Sequence, residues 1–306
     1  MAYALLFSGQ ANQHAGMLPW LESAPASAPV LRHMEALIGA DWRATLADPL
    51  RRADNGFAQV LITGTALAAW VALQAAGVSA PRVVAGYSVG ELAAFAAAEV
   101  FAPASALTLA QVRAHCMNEA VAGLHTGLLA VTGMAASRAL ALCPGLECAI
   151  DLGPEQAVLA GMDADLNEAL LRLSCEGAQC TRLEVAVASH SSWMRPALAP
   201  FELALDGVTW SPALCPLVLN ATGGSGQQLA VLRRALLAQM AQTVQWESCM
   251  QAVAERQAHC VLEIGAGSAL ARQWNARYPA VPARSLDEFK DLPGAVAWME
   301  RNAAFD

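Results

Sequence analysis

A serine flanked by glycines, Gly86-Tyr87-Ser88-Val89-Gly90, stands between a run that reads as a buried strand, Arg82–Gly86, and one that reads as a helix, Glu91–Glu99. A G-x-S-x-G in a strand–turn–helix setting is the context of a nucleophile elbow. The glycines leave room for a strained turn that exposes the Ser88 hydroxyl, and the following helix offers its N-terminal N–H groups to a developing anion. The competing reading is a glycine-rich turn with Ser88 as a helix cap. A serine nucleophile needs a base, and the chain has six histidines. His14 follows the Ser8-Gly9-Gln10 loop closely in the chain, while His33, His115 and His125 read as residues within helices or at their ends. His259 precedes a strand and, with Asp206 before it, would suit an ordinary hydrolase triad. His190, in Ala188-Ser-His-Ser-Ser192, falls at a junction between two structural rhythms, where clefts form. The residues favour His190 over His259 and leave both open.

A second chemical signal is a cation in an apolar setting. Arg113 lies in the helix read over Ser105–Ala122, and its neighbours at helical spacing are Leu109, Ala110, Cys116 and Met117. Such a stripe faces inward. A buried charge without a partner costs about 3–5 kcal/mol. The partner is either an internal acid, or water reached by snorkelling, or the carboxylate of a substrate held by the guanidinium fork.

The elements that must position these groups fall into two patterns. Tyr3–Phe7 reads as a buried strand opening into the Ser8-Gly9-Gln10 loop, and Thr65–Ala76 as a helix ending at Gly77. From about 127 to 187 the order is strand (Leu128–Val131), helix (Ala135–Leu142), two strands (Cys148–Leu152, Ala157–Ala160) joined by Gly153-Pro154, helix (Ala164–Cys175) and strand (Cys180–Val187). This βαββαβ order is that of a ferredoxin-like module. Afterwards come a strand at Pro216–Asn220, a helix at Leu229–Gln242, a strand at Val261–Gly265 and a helix at Ala269–Tyr278. The expectation is an α/β core formed by residues 1–125 and 190–306, with 126–189 as an inserted small domain.

Composition narrows the function. The 306 residues are 56% hydrophobic and 14% charged, enough apolar content for a large core and too much for general disorder. With 18 basic against 26 acidic residues and scattered arginines, bulk charge argues against nucleic acid. The uncharged run from Phe57 to Pro81 is broken by Gln59, Thr63, Gly64, Thr65 and Gln74, so it reads as a buried helix rather than a membrane span. Eight cysteines without a C-x-x-C pair point to free thiols, with neither metal nor redox cofactor implied. The N-terminus has neither a cationic start nor a long apolar region, and the expected location is cytoplasmic.

Seven segments together resemble one family, the malonyl-coenzyme A:acyl carrier protein transacylases and the acyltransferase domains of fatty-acid and polyketide synthases. They are Phe7-Ser-Gly-Gln-Ala-Asn-Gln13, Gln59, Gly86-Tyr-Ser-Val-Gly-Glu91, Gln111-Val-Arg113 with Met117, Ser189-His190 with Met194, Val244-Gln-Trp246, and Glu263-Ile-Gly-Ala-Gly267. The resemblance implies an α/β-hydrolase-like core with a ferredoxin-like insertion. It implies Ser88 as nucleophile, His190 as base and then acid, the backbone carbonyl of Gln239 as third member, and the N–H groups of Gln10 and Val89 as oxyanion hole. Arg113 would grip the malonyl carboxylate, with Gln59, Met117 and Ser189 around it. Malonyl-coenzyme A and the phosphopantetheine-type thiol of an acyl carrier protein would be the substrates, with no bound cofactor. The elbow departs from the common G-H-S-L-G-E at Tyr87 and Val89, and its form resembles the epsilon subunit of malonate decarboxylase. That suggests a malonate decarboxylase carrier subunit as partner, with a fatty-acid or polyketide carrier as the alternative. An acidic carrier would require a local arginine patch at the cleft mouth, with Arg195 a candidate. The rival readings are a thioester hydrolase using Ser88, Asp206 and His259, and a non-catalytic carrier-binding subunit.

Overall fold

The computed structural model describes residues 2–303; Met1 and residues 304–306, at the outer ends of the segments assigned to the core, lie outside the described residues. The chain runs β1 (Tyr3–Phe7), α1 (Ala28–Ile38), α2 (Trp42–Thr45), α3 (Pro49–Ala53), α4 (Asn55–Ala75), β2 (Val83–Gly86), α5 (Gly90–Ala97) and α6 (Pro103–Ala120). It continues through β3 (Thr126–Thr132), α7 (Ala136–Leu142), β4 (Glu147–Gly153), β5 (Gln156–Met162), α8 (Asp163–Cys175) and β6 (Gln179–Arg182). The last part holds α9 (Arg195–Asp206), β7 (Leu217–Val218), β8 (Ser225–Gly226), α10 (Leu229–Ala238), β9 (Val244–Gln245), α11 (Trp246–Ala254), β10 (Cys260–Ile264), α12 (Ala269–Arg277), β11 (Ala283–Ser285) and α13 (Leu292–Ala303). The fold is mixed α/β.

The larger sheet has the order β11-β10-β1-β2-β7-β8. All its pairings are parallel except the β7–β8 hairpin at the edge. Strands β1, β2 and β10 are buried along their whole length, as a parallel sheet covered on both faces requires. Phe7 pairs in register with both Gly86 and Ile264, so the loops after β1, β2 and β10 leave the sheet side by side at its C-terminal edge. In open α/β sheets that edge is where ligands bind.

The smaller sheet has the order β6-β3-β5-β4-β9. Within it β3, β4, β5 and β6 pair antiparallel. Side chains alternate across the sheet. Leu129, Val131, Ala157 and Leu159 pack with Leu166, Ala169 and Leu173 of α8 in a core of their own. Leu128, Ala130, Val158 and Ile150 face the other way, toward the larger unit. The fifth strand, β9, comes from outside the 126–189 segment and pairs parallel with β4. The two units are therefore stitched together by backbone hydrogen bonds as well as by packing.

Several elements differ from the sequence reading. Helix α4 begins at Asn55, not Thr65, because the Asp54 carboxylate accepts a hydrogen bond from the Phe57 N–H (2.7 Å) and starts the helix a few turns early. It is the one helix among the described residues long and apolar enough to cross a membrane, yet 89% of its apolar window is buried in the protein. Strand β6 stops at Arg182 instead of running to Val187. Beyond Leu183 the chain turns to the Thr126 hydroxyl, which donates to the Ala186 carbonyl and accepts from the Ala188 N–H. This bend carries residues 188–192 out of the small sheet. The strand read at Pro216–Asn220 shrinks to Leu217–Val218, because the Asn220 N–H donates to the Glu91 carboxylate rather than to a neighbouring strand.

Candidate active site

The cleft between the two units has a volume of about 450 Å³ and is walled by Ser8–Asn12, Tyr87, Ser88, Ser189 and His190 on one side. Leu128, Ala130, Ile150, Val158 and Val185 form its apolar wall. Ser88 sits in the tight turn between β2 and α5 with φ +54°. A left-handed backbone at a residue with a Cβ is strained, so its surroundings must hold it. They do so partly by close approach. A Cβ on Gly86 would lie 2.2 Å from the Gly90 carbonyl carbon, and one on Gly90 would lie 2.4 Å from the Phe7 carbonyl oxygen. Only glycine fits either place.

Asn220, fully buried at the end of β7, holds the turn chemically. Its Oδ1 accepts from the Ser88 N–H (2.9 Å) and its Nδ2 donates to the Gly86 carbonyl (2.6 Å). One side chain thus bridges the residues on either side of Tyr87. Its own N–H donates to Glu91 Oε1 (2.7 Å). The sequence reading missed Asn220. Its only sequence signal is a polar residue closing an apolar strand.

His190 also has a left-handed backbone, φ +61°, and its N–H donates to the Met240 carbonyl (2.9 Å). Its Nδ1 lies 2.6 Å from the Gln239 carbonyl oxygen and its Nε2 lies 2.7 Å from Ser88 Oγ. A carbonyl only accepts, so Nδ1 carries the proton and Nε2 presents its lone pair to the hydroxyl. Burial, reinforced by the Arg113 charge, pushes the imidazole down to about 3. It is therefore neutral at pH 7 and free to take a proton. The N–H groups of Gln10 and Val89 have no acceptor among the described residues. Gln10 lies on the cleft wall, and Val89 is the residue just before α5. A hydroxyl with a neutral base and two available N–H donors can attack a carbonyl and stabilise the resulting oxyanion.

Arg113 lies in the buried floor, 1% exposed, and does not line the cleft wall. Its Nη1 donates to Gln59 Oε1 (2.7 Å) and its Nη2 to Gln239 Oε1 (3.1 Å). Its Nε has no acceptor among the described residues, and no acid lies within ion-pair distance there. The internal ion pair considered from the sequence is absent from the described residues, and so is an exposed, snorkelling head group. Burial lowers the guanidinium to about 10, with Glu91 acting in the opposite sense, so it stays charged at neutral pH. Gln59 Nε2 in turn faces Asn55 Oδ1 (2.8 Å) and the Met117 sulfur (3.4 Å). Ser189, 6% exposed, lines the cleft beside His190.

The loop carrying Gln10 is anchored at both ends. The Ser8 hydroxyl donates to Glu263 Oε1 (2.8 Å), and His14 Nε2 pairs with Asp287 (2.8 Å). Asp287 also accepts from the N–H groups of Leu18 (2.6 Å) and Gly267 (2.7 Å). The alternative triad is not assembled. The His259 N–H pairs with the Ala2 carbonyl at the N-terminal edge of the sheet, a strand length of roughly 16 Å from the edge that carries Ser88. Asp206 is ion-paired to Arg233. Arg195 opens α9, exposed and away from the cleft lining; the arginine nearest the mouth is Arg272, in a hollow that shares Leu152, Gln156 and Gln273 with the cleft.

A parallel α/β sheet with a hydroxyl–imidazole–carbonyl chain at its C-terminal edge defines the protein as an α/β enzyme equipped for acyl chemistry. Comparison with known proteins gives the family. The model of the acyl transferase domain matches residues 4–285, and the chain belongs to that family. It is an acyltransferase. A malonyl CoA-acyl carrier protein transacylase of Mycobacterium bovis is 31% identical over 94% of this chain and 97% of its own length. The crystal structure of the malonyl-CoA:acyl carrier protein transacylase from Xanthomonas oryzae superimposes with a TM-score of 0.88 at 27% identity, covering 97% of this chain and 99% of that one. A malonyl-transacylase solved in complex with a type II polyketide synthase acyl-carrier protein gives a TM-score of 0.89 at 25% identity, over 99% and 100% of the two chains.

Two outcomes follow from the geometry. Asn220→Ala leaves a buried N–H and a buried carbonyl unpaired, at about 1–3 kcal/mol each. Single-turnover acylation of Ser88 should fall at least tenfold, and Asn220→Asp, which sets an oxygen against the Gly86 carbonyl, should not restore it. The low imidazole value fixes a pH response. Between about pH 3 and the ordinary histidine value near 6.5 the unfolded chain takes up a proton that the folded site refuses, so His190 makes stability fall as pH drops through that window. Acylation, by contrast, should stay within about twofold from pH 7.5 to pH 5.5; a half-point near 6.5 in stopped-flow rates contradicts a neutral buried base.

Proposed function

We propose that this acyltransferase moves a malonyl group from coenzyme A, through an ester on Ser88, to the phosphopantetheine-type thiol of an acyl carrier protein. The observation that carries the reading is a charged guanidinium in the site floor whose Nη groups meet only neutral amide oxygens. A substrate carboxylate replacing such an oxygen gains a charge-assisted bond about twice as strong as the one it displaces. The malonyl-transacylase names of the relatives support the same substrate.

In this mechanism Nε2 of His190 takes the Ser88 proton as Oγ attacks the thioester carbonyl. The Gln239 carbonyl holds the Nδ1 proton and steadies the imidazolium that forms. The N–H groups of Gln10 and Val89 receive the oxyanion, a contribution of about 2.7–4 kcal/mol for such a donor. Collapse breaks the C–S bond, and His190 returns its proton to the coenzyme A sulfur. The malonyl ester then remains on Ser88 with its carboxylate on Arg113, beside Gln59, Met117 and Ser189. The carrier thiol repeats the attack with His190 again as base. No metal or redox group enters the scheme.

We assign the architecture as an α/β-hydrolase-like core of residues 1–125 and 190–306 with a ferredoxin-like small domain at 126–189, on the strand orders described above. All eight cysteines are free thiols, which supports a reducing, cytoplasmic setting. The carriers of malonate decarboxylase and of fatty-acid or polyketide synthesis offer the same thiol and differ in surface. Parallel transfer assays against both assign the pathway.

Mixing the protein with malonyl-coenzyme A should produce a malonyl ester on Ser88 in the intact mass spectrum, absent from Ser88→Ala. Arg113→Ala should lose at least about tenfold in malonyl over acetyl preference, the weight of one charged hydrogen bond. Equal preference before and after would assign Arg113 a structural role only. Arg272 is exposed and has no ion-pair partner among the described residues. Arg272→Glu should slow transfer to an acidic carrier severalfold, with the effect fading at high salt, while acylation by malonyl-coenzyme A changes less.

A further inference from the structure

The Gln239 main chain serves His190, yet its side chain makes separate contacts. Gln239 is fully buried. Its Oε1 accepts from Arg113 Nη2 (3.1 Å), and its Nε2 donates to the Ser88 carbonyl (3.2 Å). The same amide lies against the Glu91 carboxyl, close enough to favour its charged form. Glu91 is fully buried too, directly after the elbow. It receives one hydrogen bond, from the Asn220 N–H to Oε1. Its Oε2 has no partner among the described residues, and neither has Arg113 Nε. An acid and a base, each with an open polar atom, thus lie within range of each other's field, with one neutral amide between them.

In a dry interior such a pair is driven to close. Closed, it would consume the charge on Arg113. The amide prevents this by presenting oxygen to the cation and N–H to the carboxyl, a dipole oriented to satisfy both sides. We propose that the Gln239 side chain is a specificity-determining spacer, which keeps Arg113 apart from Glu91 so that the guanidinium remains available for an acyl group bearing a carboxylate. The inference rests on the malonyl-transfer reading above. It explains why a carboxyl can sit beside the anion-binding group without abolishing it. Burial holds Glu91 up at about 8, so the carboxyl is mostly neutral at pH 7 while the spacer is present. Without it, ionisation of Glu91 and pairing with Arg113 reinforce each other.

The test is a rescue. Gln239→Met keeps the main-chain carbonyl for His190 and similar bulk, but removes the dipole. Ser88 acylation by malonyl- and acetyl-coenzyme A, followed by intact mass, should show the malonyl-to-acetyl rate ratio falling about tenfold or more. Adding Glu91→Gln, which retains an oxygen for the Asn220 N–H but cannot ionise, should restore the ratio to within about threefold of the parent. An unchanged ratio in Gln239→Met, or a fall that Glu91→Gln does not reverse, overturns the spacer, since lost packing alone would not respond to the charge of Glu91. Should Gln239→Met not fold, Gln239→Glu sets a carboxylate directly on Arg113 and must depress malonyl far more than acetyl acylation; equal depression also overturns it. A parent protein that never acquires malonyl on Ser88 refutes the transfer reading itself and the spacer with it. Normal parent acylation with an unmoved ratio refutes the spacer alone.

Discussion

A guanidinium buried without an acid partner is the constraint around which this site is organised. Arg113 cannot reach water, so every group near it either supplies an oxygen or must be kept away. Gln59 and Gln239 supply oxygens without supplying charge. That choice costs stability, because an amide compensates a cation less well than a carboxylate does. The arrangement makes chemical sense only if the missing charge arrives from outside. The low imidazole value of His190 has the same origin in part, since the Arg113 charge disfavours a second cation nearby. One buried charge therefore selects the acyl group and keeps the base neutral.

The nucleophile depends on a different economy, that of backbone strain. Ser88 and His190 both occupy left-handed conformations. Each is held by hydrogen bonds from segments distant in the chain: Asn220 for Ser88, and Met240 and Gln239 for His190. The elbow is thus fixed from below by α5 and from the side by the end of β7. The parallel sheet supplies the precision, since β1, β2 and β10 deliver the Gln10 loop, the elbow and the Gly265 turn in register. The small sheet contributes the apolar wall and, through β9, a direct backbone link to the segment that follows Gln239.

What the sequence revealed follows the range of each interaction. Ser88 was legible because the strained turn is local: Gly86 and Gly90 are required by contacts within a few residues and with the neighbouring strand. Arg113 was legible because a charge breaking an apolar helical stripe is a local anomaly. The two parts of the βαββαβ unit showed in their alternation and turns. Asn220 was not legible, because its function exists only when the end of β7 meets a turn formed 132 positions earlier. The start of α4 was hidden because Asn55 and Gly56 read as a turn until Asp54 is seen to cap them. Helix α9 escaped notice because Pro200 interrupts its pattern. Arg195, chosen from its neighbourhood in the chain, proved remote from the cleft lining, while Arg272 lies near the mouth for a reason of topology alone.

These distances in the chain also explain why the site can be selective without being rigid throughout. The acyl-transfer groups are tied to the main chain: a carbonyl of Gln239, amides of Gln10 and Val89, and a hydroxyl on a clamped turn. Side-chain variation at those positions leaves their chemistry in place. The charge-selecting groups are all side chains, on α4, on α6 and just past α10. Gln239 belongs to both sets at once, through its carbonyl and through its amide. A change at that residue can therefore alter which acyl group is accepted while the transfer machinery keeps its geometry. Substrate choice and catalytic power are separable here, because one is written in side chains and the other in backbone.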